Sequence, residues 1–256
     1  MNFKNIEIIY KPYPYLIIND FISEEYSADL KKDILSFNNF DDKVMVNRNR
    51  INKGSKNFTK ILSTSKSIKK FYSDLNSMET FDKFYKLFNL KNSNWKIDEK
   101  VKYFSKNNYG KQKDDFTENL VKFLTSKNII RTKLNLDIDF SVSGKGYNRG
   151  PHRDRETRIL NFLLYLNSFD EKDGGDFRIY DFQNNEFKNQ NDYPRFPHKN
   201  LVFSVRSVQP KKSTLIVFLS TPNSYHAAGE FLPEDKKRVF IYGSYSLNKK
   251  VNWIKT

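Results

Sequence analysis

Along the first part of the chain apolar residues recur at helical spacing. Tyr26, Leu30 and Ile34 share one face, Ser23 stands before them as a cap, Glu24 and Glu25 suit the positive end of a helix dipole, and Lys31 and Lys32 lie toward the far end. The pattern predicts an amphipathic helix packed on a core. Phe71, Tyr72 and Leu75, then Phe81, Phe84, Tyr85 and Phe88, and later Phe116, Leu120, Phe123 and Leu124 repeat the spacing. They predict three further helices whose aromatic stripes are core. Residues 13–18 read as a short entering strand, and the polar, basic residues 41–60 around Gly54 as a long loop or hairpin able to border a site.

From Lys133 onward the period shortens to two. Residues 134–142, 158–166, 177–180, 201–205, 214–219 and 238–246 are strand candidates separated by clusters of Gly, Pro, Asn and Asp, and the polar stretch 184–200, with Pro194 and Pro197, reads as an insertion over a barrel mouth. Strands following helices predict an α+β fold. Strands so short and evenly spaced predict a double-stranded β-helix, the jelly-roll or cupin-like arrangement, with supporting N-terminal helices. A length of 256 residues suits one domain, 1–256, with a helix-rich support over 1–132 and the jelly-roll core over 133–250.

Composition narrows the chemistry. The chain has no cysteine, so any metal must sit on His, Asp or Glu. The first residues lack the basic-then-apolar order of a signal peptide, and no apolar stretch has the length to span a bilayer, so a cytoplasmic protein is expected. The net charge of +15 raises the question of a nucleic-acid partner. Because the lysines are scattered along the whole chain, a solvated basic surface is favoured over a nucleic-acid footprint. Oligomeric state is not legible.

The three histidines carry the most information. His152 and Asp154 stand two apart on an extended segment, where residues i and i+2 point the same way, so both can grip one ion while Arg153 faces elsewhere. His226 follows the apolar run 214–219 and a short turn that would deliver it to a sheet edge. Two imidazoles and one carboxylate on one face of a metal leave the opposite face open for a bidentate cosubstrate and dioxygen, as in mononuclear non-haem iron oxygenases. The tripeptide alone also describes a loop histidine hydrogen-bonded to Asp154. His198, in the presumed insertion, has no partner at ligand spacing and reads as a loop histidine.

Context supplies specificity. In order, residues 14–23, the run Pro151, His152, Arg153 and Asp154, residues 158–167 and 173–180, and His226 followed by 238–243 resemble the iron(II)/2-oxoglutarate-dependent dioxygenases of the prolyl-4-hydroxylase-like branch. The resemblance implies Fe(II) held by His152, Asp154 and His226, with 2-oxoglutarate and O2 as cosubstrates. It further implies Arg238, whose planar fork suits a carboxylate, at the distal end of 2-oxoglutarate, ahead of Lys236 and Lys237. The resemblance also implies a cofactor-binding role for Tyr165 and for Asn161, which shares its strand face, and places Arg158 and Tyr147 on the substrate side. Phe140 departs from the family by standing where a tyrosine often contacts the metal-bound end of the cosubstrate.

The implied reaction is hydroxylation of an unactivated C–H bond, with release of succinate and CO2. Asp154 favours it, because iron halogenases replace this carboxylate with a small residue. The substrate, a peptidyl proline, amino acid, sugar or other small metabolite, is not legible, although the basic surface leans toward an anionic partner with Arg48, Arg50 and Lys53 as contacts. Two other readings are a non-catalytic jelly-roll binding module and a zinc-dependent hydrolase on the same ligands with Glu156 as base.

Overall fold

Alternating side chains build two facing sheets from the strands expected after Lys133. The computed structural model describes residues 1–45, 47–97, 103–104, 133–184 and 193–255. In chain order they form β1 (Asn5–Ile9), β2 (Tyr15–Asn19), α1 (Glu24–Ser36), β3 (Asp42–Met45), β4 (Arg48–Asn52), α2 (Lys56–Thr64), α3 (Lys66–Leu75) and α4 (Met78–Leu87). Then come β5 (Trp95–Ile97), β6 (Tyr103–Phe104), β7 (Lys133–Ser143), β8 (Arg149–His152), β9 (Arg158–Tyr165), β10 (Phe177–Phe182), β11 (Val202–Val208), β12 (Leu215–Leu219), β13 (His226–Ala228), β14 (Arg238–Leu247) and β15 (Trp253–Lys255).

The larger sheet runs β1-β2-β12-β9-β14-β7-β4-β3, with β6 parallel to β7; the smaller runs β11-β10-β13-β8; and β15 pairs with β5. The fold is thus the expected α+β double-stranded β-helix. The early part of the chain supplies strands as well as helices, since β1 to β4 all join the larger sheet.

Parity along each strand sorts the side chains. On the helix-facing side of the larger sheet, Leu136, Ile138, Phe140, Phe162, Leu164, Val217 and Ile241 pack with Leu30, Ile34, Phe58, Phe71 and Phe84 of the helices. On the other side Tyr15, Ile17, Leu163, Tyr165, Phe218 and Phe240 meet Phe177 and Ile179 of the smaller sheet. Central strands buried on both faces explain why these segments read as nearly continuous apolar runs. Gly243 permits one close approach, because a Cβ there would stand 2.2 Å from Cζ of Phe162.

Each α-helix among the described residues starts at a serine. Ser23, Ser55, Ser65 and Ser77 accept hydrogen bonds from the backbone N–H of Tyr26, Phe58, Ile68 and Thr80, a cap worth about 1 kcal/mol each. The segment expected as loop or hairpin over 41–60 is the β3–β4 hairpin followed by the start of α2. There the cap at Ser55 and burial of Phe58, Ile61 and Leu62 override a polar local sequence. The helix expected around Phe116 and part of the 184–200 insertion lie outside the described residues. No helix among the described residues is long and apolar enough to cross a membrane.

Candidate metal centre

β8 and β13 are neighbours in the smaller sheet, and their register sets His152 opposite His226. The two imidazoles lie 4.4 Å apart between centroids, and Asp154, two residues beyond, completes a group whose potential ligand atoms all fall within 4.8 Å of one another. Each imidazole is oriented from behind. Nδ1 of His152 donates to the Gly150 carbonyl at 2.9 Å and Nδ1 of His226 to that of Ser224 at 3.0 Å. A carbonyl can only accept, so both Nδ1 atoms carry the proton and both Nε2 atoms present lone pairs to the centre.

Electrostatics agrees with a ligand role. Burial, then the neighbouring His226 and Arg149, lowers the pKa of His152 to about 2, and burial also lowers that of His226. Both rings are therefore neutral at pH 7, the state in which imidazole binds metal. Burial pushes the Asp154 carboxyl up, but Arg158, both histidines and Tyr242 together hold it below the usual carboxylate range. Arg158 Nη1 lies 2.7 Å from Oδ1, and the Tyr242 hydroxyl donates to Oδ2 at 2.6 Å.

A chamber lined by His152, His226, Leu163, Phe177 and Phe240 leads from the two histidines to Arg238. Arg238 is 1% exposed, with its guanidinium 4.5 Å from the Phe240 ring centroid, 5.2 Å from that of Tyr165 and 5.7 Å from that of Tyr147. The Tyr165 hydroxyl accepts from Nη2 at 3.5 Å, whereas Nε and Nη1 are buried without an acceptor. A desolvated charge with vacant donors is costly unless an anion meets it.

Residues 138–244 match the family model described as the 2OG-Fe(II) oxygenase superfamily. They form a 2OG-Fe(II) oxygenase domain. A domain of this superfamily is that of a 2-oxoglutarate-dependent dioxygenase, an enzyme class that takes Fe(II), 2-oxoglutarate and O2. Its residues fit those groups. His152 Nε2 is a buried atom with no hydrogen-bond partner, and the spare donors of Arg238 suit a carboxylate at the far end of the chamber.

Among solved structures, the chain is similar to a prolyl 4-hydroxylase from Phytophthora capsici, with a TM-score of 0.52, 14% identity and coverage of 91% of this chain and 58% of that one. It is also similar to a Pseudomonas putida prolyl-4-hydroxylase, with a TM-score of 0.46, 14% identity and 91% of both chains covered. The former likeness concerns the fold. No curated protein sequence matches the chain at a significant level.

The oxygenase domain gathers most of the site residues expected from sequence, with three shifts. Asn161 accepts through Oδ1 from Arg158 at 3.2 Å and lies 3.3 Å from the Tyr242 hydroxyl, so it stands with the Asp154 group rather than beside Arg238. Tyr147, expected on the substrate side, lies against Arg238 and Phe240. Phe140 faces the helices, stacked 5.6 Å from Phe58, because parity on β7 turns Asp139 and Ser141 toward the site instead. Arg158 is held on Asp154, and His198 is an exposed loop residue bonded to Asn200 at 2.6 Å. Glu156 pairs with Lys250 at 3.0 Å and Arg153 at 3.4 Å, which takes from the hydrolase reading its general base.

Outside the metal centre a second cleft, of about 650 Å³, opens between β4 and the segment following Tyr193. Arg48, Arg149 and Tyr242 line both cleft and chamber. Arg48 bonds Ser141 Oγ through Nη2 at 2.8 Å. Tyr242, Asp139, Arg149 and Arg195 are the site residues that sequence patterns did not assign. For Tyr242 a signal existed, the period of two from Arg238.

Proposed function

We propose that this dioxygenase hydroxylates an unactivated C–H bond of a small-molecule or peptide substrate, with His152, Asp154 and His226 as metal ligands and Arg238 and Tyr165 as the anchor for the distal carboxylate of 2-oxoglutarate. Iron(II), bound with 2-oxoglutarate and dioxygen, supplies the oxidation, and 2-oxoglutarate leaves as succinate and CO2. The chain's part is to hold and to exclude. The Gly150 and Ser224 carbonyls fix both imidazoles by their Nδ1 protons, Arg158 and Tyr242 fix the Asp154 carboxylate, and Phe177 and Phe218 pack against His226 at 5.5 and 4.6 Å to keep water from its side of the centre. The outer cleft is where substrate approaches. A peptidyl proline, amino acid, sugar or other small metabolite suits this chemistry, and nucleic acid is not favoured.

The observation that carries this reading is the convergence of His152, Asp154 and His226 from separate segments, with a buried imidazole nitrogen that has no other partner. Anaerobic titration of the protein with iron(II) and 2-oxoglutarate tests it. A metal-to-ketoacid charge-transfer band is expected in the wild type, absent in His152→Ala and weakened in Arg238→Ala. A band unchanged in His152→Ala removes these ligands from consideration. Succinate release across a panel of acceptors then addresses hydroxylation and substrate.

A further inference from the structure

The outer cleft is strongly cationic. Seven arginine and lysine side chains line it against three aspartates. Those aspartates are already engaged: Asp154 with Arg158 at 2.7 Å, Asp139 with Arg50 at 3.4 Å and Arg48 at 3.6 Å, and Asp137 as acceptor from Ser246 at 3.2 Å. Lys53 donates to the Leu136 carbonyl, and three cations remain. Arg149 on β8, Arg155 in the turn before β9, and Arg195 in the segment after Tyr193 pair with no carboxylate among the described residues, yet all line this one concavity. They lie close enough that repulsion from Arg155 and Arg149 adds to burial in lowering the pKa of Arg195. Gathering like charges without a counter-charge opposes folding, and an anion bound among them relieves that cost.

We infer that Arg149, Arg155 and Arg195 bind the phosphate of a small phosphomonoester, which is the substrate of the hydroxylation proposed above. The word substrate rests on that reading; the binding does not. Phosphate fits three guanidiniums better than carboxylate does, since it carries up to two charges and three terminal oxygens, one for each cation. A volume of about 650 Å³ lies in the range of small-molecule sites. Arg149 also lines the inner chamber, so a molecule anchored by its phosphate at the mouth has its remainder directed toward His152 and His226. These three arginines line one concavity rather than a stripe, which favours a small ligand over a polyanion.

Calorimetric titration of the full chain, without iron or 2-oxoglutarate and at low salt, tests this with AMP, glucose 6-phosphate, inorganic phosphate, adenosine, glucose, citrate and a single-stranded oligonucleotide. AMP and glucose 6-phosphate are expected to bind and their uncharged counterparts not. Affinity should fall about ten- to hundredfold in Arg195→Ala and in Arg149→Ala, the loss expected for one charge-assisted bond. Melting curves confirm folding of each variant; Arg195 is exposed, so its removal spares the core. Equal binding of AMP and adenosine, or affinity unchanged in both arginine variants, overturns the assignment. Citrate binding as tightly as the phosphate esters overturns the choice of phosphate. An oligonucleotide binding far more tightly than AMP overturns the choice of a small ligand. The charge-transfer band is a separate readout: phosphate binding without it sinks the oxygenase reading alone, and the band without phosphate binding sinks this inference alone.

Discussion

Tyr242 donates its hydroxyl proton to Oδ2 of Asp154 across 2.6 Å, and the two residues stand 88 positions apart in sequence. Together with Arg158 on Oδ1, the bond leaves the carboxylate one orientation, facing His152 and His226. Partners behind a metal ligand typically contribute about ten- to a hundredfold in metal affinity. Tyr242→Phe is therefore expected to weaken iron(II) binding by about tenfold, with a melting temperature within a few degrees of wild type. Iron titration followed by calorimetry checks both; unchanged affinity would show that Arg158 alone orients Asp154.

Arg238 separates a ligand role from a packing role. Its unpaired Nε and Nη1 make it a costly resident of the core, offset in part by the rings of Phe240, Tyr165 and Tyr147. Arg238→Met is expected to leave the ligand-free protein at least as stable as wild type, while abolishing the rise in melting temperature that 2-oxoglutarate gives wild type in the presence of iron. Thermal shift with and without 2-oxoglutarate distinguishes this from a merely structural arginine, whose loss lowers both curves together.

The strands of the core were legible because each keeps its parity over several residues, and the helices at Leu30 and Phe84 because their stripes run about two turns. Which face of β7 looks inward was not legible. Alternation fixes Phe140 opposite in sense to Asp139 and Ser141 but says nothing of where the helices pack, so a position that the resemblance matches to a site tyrosine packs instead against Phe58. α2 was hidden because its buried set is only Phe58, Ile61 and Leu62. β1, an edge strand mostly exposed and paired only with β2, offers no alternation to read. The metal ligands were legible through the order of their motifs. The bracket of Tyr242 and Arg158 around Asp154 depends on a strand pairing across the sheet that no local pattern encodes.

Gly243 tests the packing of the larger sheet. Its missing Cβ makes room for Phe162, which itself packs on Phe84 and Tyr245. Gly243→Ala forces that ring aside and is expected to cost about 3 kcal/mol, toward the upper end for overpacking a core. In a chain of this size that lowers the melting temperature by roughly 6–12 °C. A melting temperature within a degree of wild type would mean that Phe162 can turn away freely.

Asp176 gives an acid-limb signature away from the metal. Burial pushes its carboxyl up, but bonds from Arg178 Nε at 2.7 Å and Ser207 Oγ at 2.6 Å outweigh burial and leave the pKa lowered. A carboxylate depressed in the folded state adds stability above its unfolded pKa, near 3.9, and that stability is lost as pH falls through the lower folded value. Between about pH 5 and pH 2.5 the melting temperature of Asp176→Asn is thus expected to fall less steeply than that of wild type. Parallel curves for the two proteins would assign no such contribution to Asp176.

The pairing of β8 with β13 carries a further consequence. Because His152 and His226 face each other in one rung of that ladder, a slip of a single residue would send one imidazole to the opposite side of the sheet. The alignment of two short strands and the capacity to hold an ion are therefore one property, and a ferrous ion bridging the rung would in turn lock the smaller sheet in step.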